Sequence, residues 1–147
     1  MRIDLTQELA EPLFPPGVSL HTFAENDAQR LHALLEHGYR QGGGSVDAFH
    51  ASLPQLLGDS EFDPELCFLA YANGEAVAAA ICWTSAFVKD IVVNEAWRRR
   101  GLGEALLRHS FLTFRARGSE GVELKVQSQN LGAIRLYERV GMRVVEH

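Results

Sequence analysis

Apolar and polar residues alternate cleanly from Gly121 to Ser128. Val122, Leu124 and Val126 fall on one face and Glu123, Lys125 and Gln127 on the other. A period of two predicts a half-covered strand. Denser apolar runs, Leu66 to Ala72 and Ala76 to Trp83, flank Asn73-Gly74, and that dipeptide between two such runs predicts a hairpin through a type I′ turn. Asp59 to Pro64 reads as loop. Thr84-Ser85 leads into a further strand that ends Ile91-Val92-Val93. Val18 to Phe23 reads as an opening strand and Met142 to Val145 as a final short one. The spacing lengthens to three and four at Ala28, Leu31, Leu34 and Leu35, after the capping residues Glu25-Asn26-Asp27. This predicts a helix that ends near Tyr39, ahead of Gly42-Gly43-Gly44. Helices are also expected from Val46 to Leu57, from Leu102 to Arg117 with Gly118 closing it, and from an Asn130 cap to Val140. His109 lies on the apolar stripe of the third helix and reads as packed. The order β-α-α-β-β-β-α-β-α-β implies an α/β fold, a mixed sheet covered by helices on both faces.

A length of 147 residues fits one domain. Leu-Phe-Pro-Pro-Gly at 13–17 stops regular structure, so residues 1–16 read as an N-terminal arm and 17–147 as the domain. Within the arm, Arg2 to Leu5 is either a short strand or loosely attached. Nothing approaches the roughly 18 consecutive apolar residues of a membrane span, and the N-terminus lacks a signal-peptide pattern. No membrane partner is expected, and the location expected is cytoplasmic. Cys67 and Cys82 sit in apolar runs and read as reduced, buried thiols; no metal site is expected.

The net charge of −5 divides unevenly. Residues 1–88 carry 3 basic and 12 acidic side chains, net −9, and residues 89–147 carry 11 basic and 7 acidic, net +4. The second half suits a polyanionic ligand and the first a cationic one. The basic residues gather near one glycine turn and along helices, which argues against a nucleic-acid partner.

That turn carries the chemistry. From Val88 to Leu107 a strand passes through Arg98-Arg99-Arg100-Gly101-Leu102-Gly103 into a helix. Backbone N–H groups at a helix start lack intrahelical acceptors and share the positive end of the helix dipole, so they suit a phosphate. Glycines at 101 and 103 let the backbone come close to a bulky anion. A dinucleotide motif would need a third glycine where Leu106 stands, and no P-loop Gly-Lys-Ser/Thr follows.

The spacing Arg98-x-x-Gly101-x-Gly103 resembles the acetyl-CoA motif of the GNAT superfamily of N-acetyltransferases. The run Leu124-x-Val126-x-x-x-Asn130-x-x-Ala133-Ile134-x-Leu136-Tyr137-Glu138-x-x-Gly141-Met142 resembles the family's other half-site, with Met142 where Phe is common. Asn130 and Tyr137 are seven apart, almost two helical turns, and so should share a side. The resemblance implies a GNAT-like sheet splayed between the fourth and fifth main strands. It implies acetyl-CoA as cofactor, bound by Ile91, Val92 and Val93 along the wedge and by Arg98, Arg99, Arg100, Gly101, Leu102, Gly103 and Glu104 around the pyrophosphate. Asn130, Ala133 and Tyr137 would complete that site. The Val93 N–H would polarise the thioester carbonyl, and Tyr137 would protonate the departing thiolate. An amine acceptor, small molecule or peptide, would bind among Tyr39, Phe49, His50 and Trp83.

The base is less plainly marked. Lysine stands at both positions where relatives commonly carry an acid, Lys89 and Lys125, which leaves Asp90, Glu123 or a water chain, with Asp90 preferred. The function expected is direct acetyl transfer to a primary amine. The alternative is a catalytically idle acyl-CoA-binding module, and the two lysines are its support. Many relatives close the sheet with a seventh strand that has no counterpart after Val145. The open edge would be covered by the N-terminal arm or by a second subunit in a homodimer, or the sheet is simply shorter.

Overall fold

In a computed structural model the structure describes residues 1–42 and 49–145. Six strands form one sheet: β1 (Arg2–Asp4), β2 (Val18–Thr22), β3 (Phe62–Ala72), β4 (Glu75–Trp83), β5 (Phe87–Val93) and β6 (Gly121–Leu124). The order across it is β1-β6-β5-β4-β3-β2. Every neighbouring pair is antiparallel except β5 and β6, which are parallel. Parallel neighbours need a crossover, and α3 (Leu102–Ala116) supplies it. The other helices are α1 (Ala28–Gly42), α2 (Phe49–Gly58) and α4 (Leu131–Arg139).

Alternation along β3 and β4 divides the core into two layers. Leu66, Phe68, Ala70, Ala78 and Ala80 face α3 and α4 with Leu106, Phe111, Phe114 and Tyr137. Cys67, Leu69, Ala79 and Ile81 face α1 with Leu31, Leu34 and Leu35. Phe68, Phe111 and Phe114 are fully buried, and each contributes about 1.5–3 kcal/mol of hydrophobic stabilisation. They fix α3, and with it the turn that precedes it. His109 is packed as expected, edge-on to Phe68 with centroids 4.6 Å apart. Asp27 accepts from the Ala24 N–H at 2.8 Å and from the Tyr71 hydroxyl, which ties the start of α1 to β3.

The hairpin turn is as expected, with Asn73 at φ 53° and Gly74 at φ 78°. Three elements differ from the sequence reading. β3 starts at Phe62 rather than Leu66, and Pro64 fits because the register with β4 is broken between Phe62 and Cys67, where no ladder bond is asked of its missing N–H. β6 stops at Leu124 instead of running to Ser128. Met142 to Val145 is not a strand; only Arg143 forms a bridge, to Arg2. Of the two readings of Arg2 to Leu5, the structure takes the strand. β1 pairs with β6 through Arg2↔Glu123, Ile3↔Val122 and Asp4↔Gly121, and Ile3 and Leu5 are buried.

Cys67 and Cys82 lie in opposite layers, and both are free thiols. Burial pushes both well above the ordinary thiol range, Cys82 to about 12. Above about pH 8.5 the unfolded chain therefore loses thiol protons that the native state keeps. Stability is full below that pH and falls as pH rises toward 12, by about 1.4 kcal/mol per pH unit for each thiol. Urea unfolding at pH 8, 9.5 and 10.5 should show this decline, with a shallower slope for Cys82→Ala. An equal slope in the variant would exclude the thiol as its source.

Candidate active site

β5 and β6 pair only at Phe87↔Glu123 and Val88↔Leu124, yet β5 runs on to Val93. Past Val88 the two strands have parted. On its other side β5 follows β4 with one slip, because Ile81 faces Asp90 while Cys82 faces Val88. Lys89 is thus the extra residue of a bulge, a device that bends a strand and re-aims its side chains. Beyond the bulge the Asn94 N–H donates to the Val77 carbonyl at 2.8 Å, with Val93 opposite Ala78. That phase makes Val93 and Ala78 a non-hydrogen-bonded pair, so the N–H and C=O of Val93 point away from β4 into the wedge. The Val93 carbonyl accepts from Arg98 Nε at 3.3 Å.

The turn after β5 is built for a helix start. Asn94 Oδ1 accepts from the Ala96 N–H at 2.9 Å and opens a single 3₁₀ turn, Glu95–Trp97. Arg99 (φ 64°) and Gly101 (φ 83°) then take left-handed conformations. At Arg99 this costs on the order of 1 kcal/mol, and such strain concentrates where ligands bind. The Ala105 N–H makes the first helical bond, to Gly101 O at 3.0 Å. The N–H groups of Leu102, Gly103 and Glu104 precede it and have no helical acceptor. A Cβ at Gly103 would lie 3.3 Å from Leu136 Cδ2 and 3.8 Å from Val93 Cγ2, so α3 begins hard against α4 and β5.

A cleft of about 900 Å³ opens over this turn. Eleven of the predicted cofactor residues line it: Ile91, Val92, Val93, Arg98, Arg99, Gly101, Leu102, Gly103, Glu104, Asn130 and Ala133. Asp90 lines it as well. Arg100 does not; its guanidinium lies over the Trp97 ring, 4.5 Å from the centroid. Tyr137 does not either, being buried among the α3 and α4 core residues. The sequence reading missed Leu35 and Gly38 of α1, Trp97, and Gly132, Leu136 and Arg139 of α4. Gly132, Leu136 and Arg139 follow at i, i+4 and i+7 and form one stripe of α4, whereas the stripe through Ala133 leads only to Leu136 among them. The side chains of Tyr39, Phe49 and His50 lie outside the described residues, as do residues 43–48.

The model of the Acetyltransferase (GNAT) family matches residues 28–142. The chain belongs to the GNAT family. It is 33% identical over 148 residues to a mycothiol acetyltransferase of Beutenbergia cavernae, which covers 93% of this chain and 48% of that protein. The structure of a GCN5-related N-acetyltransferase from Sphaerobacter thermophilus superposes with a TM-score of 0.84 at 29% identity, covering 98% of this chain and 47% of the other. An aminoglycoside N-acetyltransferase solved with CoA shares the fold, with a TM-score of 0.70 at 18% identity over 92% of this chain and 95% of the other. The chain spans about half the length of the curated relatives it matches.

The GNAT family uses acetyl-CoA, and the donor set here fits that cofactor. The N–H groups of Leu102, Gly103 and Glu104, which lack helical acceptors, and the cleft arginines Arg98, Arg99 and Arg139 are donors of the kind a pyrophosphate takes. The nearby Glu104 carboxylate would oppose an anion, but it pairs with Arg108 at 3.2 Å and Arg139 at 3.4 Å. The Asp90 side chain is 7% exposed and pairs with Lys89 Nζ at 2.6 Å. Burial, and secondarily the Asp90 carboxylate, hold the Tyr137 phenol above its ordinary range, so it keeps its proton at neutral pH. Glu123 pairs with Arg2 at 3.7 Å on the β1 side. Trp83 stands at the end of β4 and does not line the cleft. Among the described residues no group of His, Cys, Asp and Glu could hold a metal ion, and no helix is long and apolar enough to cross a membrane.

Proposed function

We propose that this GNAT domain transfers an acetyl group from acetyl-CoA directly to a primary amine. The wedge between β5 and β6, with α3 starting at its mouth, is the observation that carries the reading. Acetyl-CoA supplies an acyl group activated as a thioester. Arg98 and Arg99 and the N–H groups of Leu102, Gly103 and Glu104 hold the pyrophosphate. The exposed edge of Ile91 to Val93 takes the extended arm as an added strand. Val93 offers its N–H to the carbonyl oxygen on which negative charge builds, and no reorganisation is needed to aim it. Asp90 accepts the proton that the acceptor ammonium must lose, the free amine attacks the thioester carbonyl, and the C–S bond breaks. The Tyr137 hydroxyl, close enough to the cleft residue Asp90 to feel its charge, protonates the leaving sulfur, and the phenolate takes back a proton from the nitrogen of the new amide.

Neither thiol suits an acyl-enzyme route. Cys67 and Cys82 are buried and held in the protonated form, whereas a nucleophilic cysteine needs an accessible thiolate. Two reduced, unpaired cysteines also fit the cytoplasm, where we place the protein. The kinship with a mycothiol acetyltransferase supports acetyl transfer as the reaction class.

The test is thiol release from acetyl-CoA across a panel of primary amines. Turnover with at least one unhindered alkylamine is expected. Tight CoA binding by calorimetry, with no turnover on any amine or basic peptide, would replace the enzyme reading with that of an acyl-CoA-binding module.

A further inference from the structure

We propose that the Lys89 ammonium occupies the place of the acceptor's own ammonium. Asp90 and Trp83 form a cation site for unbranched primary alkylamines, which the acceptor enters by displacing Lys89. The proposal rests on the acetyl-transfer reading for what happens next at that site, but not for the site itself.

Adjacent residues of a regular strand point to opposite faces, so Lys89 and Asp90 ought not to meet. The bulge removes that restriction, because Lys89 is the residue that β4 leaves unmatched. Its side chain comes round to place Nζ 2.6 Å from Asp90 Oδ2 and 5.7 Å from the centroid of the Trp83 ring. A carboxylate and an aromatic face around one ammonium are what recognition of an alkylammonium requires. The present occupant is itself a primary amine on an unbranched four-carbon stem. The carboxylate is sunk into the protein at 7% exposure, whereas Lys89 is 38% exposed. The anion is thus a fixed part of the site, while the cation is half in water and is held by an interaction that solvent weakens. Asp90 also lines the cleft beside Ile91 and Val93, so an ammonium in this place borders the wedge. Lys89 is therefore a resident competitor, and removing it should improve binding where loss of a simple surface ion pair would change nothing.

The probe is n-butylguanidinium, a cation of matching stem length that is a poor nucleophile toward a thioester, titrated calorimetrically into CoA-loaded protein. Lys89→Gln should bind it at least tenfold more tightly than wild type. Adding Trp83→Leu should lose most of that gain, and Trp83→Phe, which keeps a ring, should retain it. In steady-state assays the KM for n-butylamine should fall in Lys89→Gln in parallel with the guanidinium affinity. Unchanged or weaker guanidinium binding in Lys89→Gln, or no loss on adding Trp83→Leu, overturns the site. If wild type acetylates n-butylamine while Lys89→Gln shifts neither constant, the cation site fails and the transfer reading survives. If the guanidinium affinities shift as expected but no variant turns over any amine, the site stands and the transfer reading fails.

Discussion

Tyr137→Phe should lower kcat by about 10²- to 10³-fold while leaving the affinity for CoA within about twofold, as expected for removal of a general acid. The ring lies in the α3 and α4 core layer, 8% exposed, so Phe preserves the packing and removes only the hydroxyl. Burial and the neighbouring Asp90 carboxylate both disfavour the phenolate. The sign follows: the folded state holds this proton more tightly than the unfolded chain does, so the acid stays loaded through and beyond about pH 10. In wild type the phenol should therefore add no falling limb to kcat below about pH 10, and the profiles of wild type and Tyr137→Phe should run parallel there. Thiol release measured from pH 6 to 10.5 gives both results. Unchanged turnover in the variant would leave Tyr137 a core aromatic and return the acid role to water.

Gly103→Glu should weaken CoA binding by about 100-fold or more. A like charge set against another costs several kcal/mol, and each 1.4 kcal/mol is about tenfold in affinity. The same carboxylate favours the helix, because a negative charge in the first turn complements the dipole. Binding and stability should therefore move apart, with thermal unfolding near that of wild type and calorimetric CoA binding lost. Gly103→Ala separates bulk from charge. Its Cβ would lie 3.3 Å from Leu136 Cδ2, the tip of a flexible side chain, so a few-fold loss is expected. Equal losses in the two variants would mean that space, not charge, governs this position.

Local chemistry made much of this legible. Asn73-Gly74 announced its turn, and the bounds of α3 and α4 came within a residue or two, because caps and turns are decided by residues close in sequence. What depended on a distant neighbour did not show. Alternation through Val126 reports which face each side chain takes, but not whether β5 is still alongside, so the pattern runs four residues past the end of β6. The sequence VKDIVV accommodates a bulge or a regular strand equally well, and only pairing with β4 decides. Asn130 and Tyr137 were expected on one side, but Asn130 is the cap, with φ −85° and ψ 73°, and accepts from the Ala133 N–H at 3.2 Å. It lies outside the helical repeat, so a spacing of seven does not carry through it. Eleven of the cleft residues could be named from motifs, whereas Leu35 and Gly38 reach it only because α1 crosses the sheet there.

β1 sits against β6, with Arg2 opposite Glu123. Ribosomes add about 5–20 residues per second, so roughly 6–24 s separate the synthesis of these partners. During that interval residues 2–4 have nothing to pair with, and the strand bordering the CoA wedge has not been made. The wedge between β5 and β6 can thus be assembled only once residue 124 has been made, long after the hairpin of β3 and β4 is free to form.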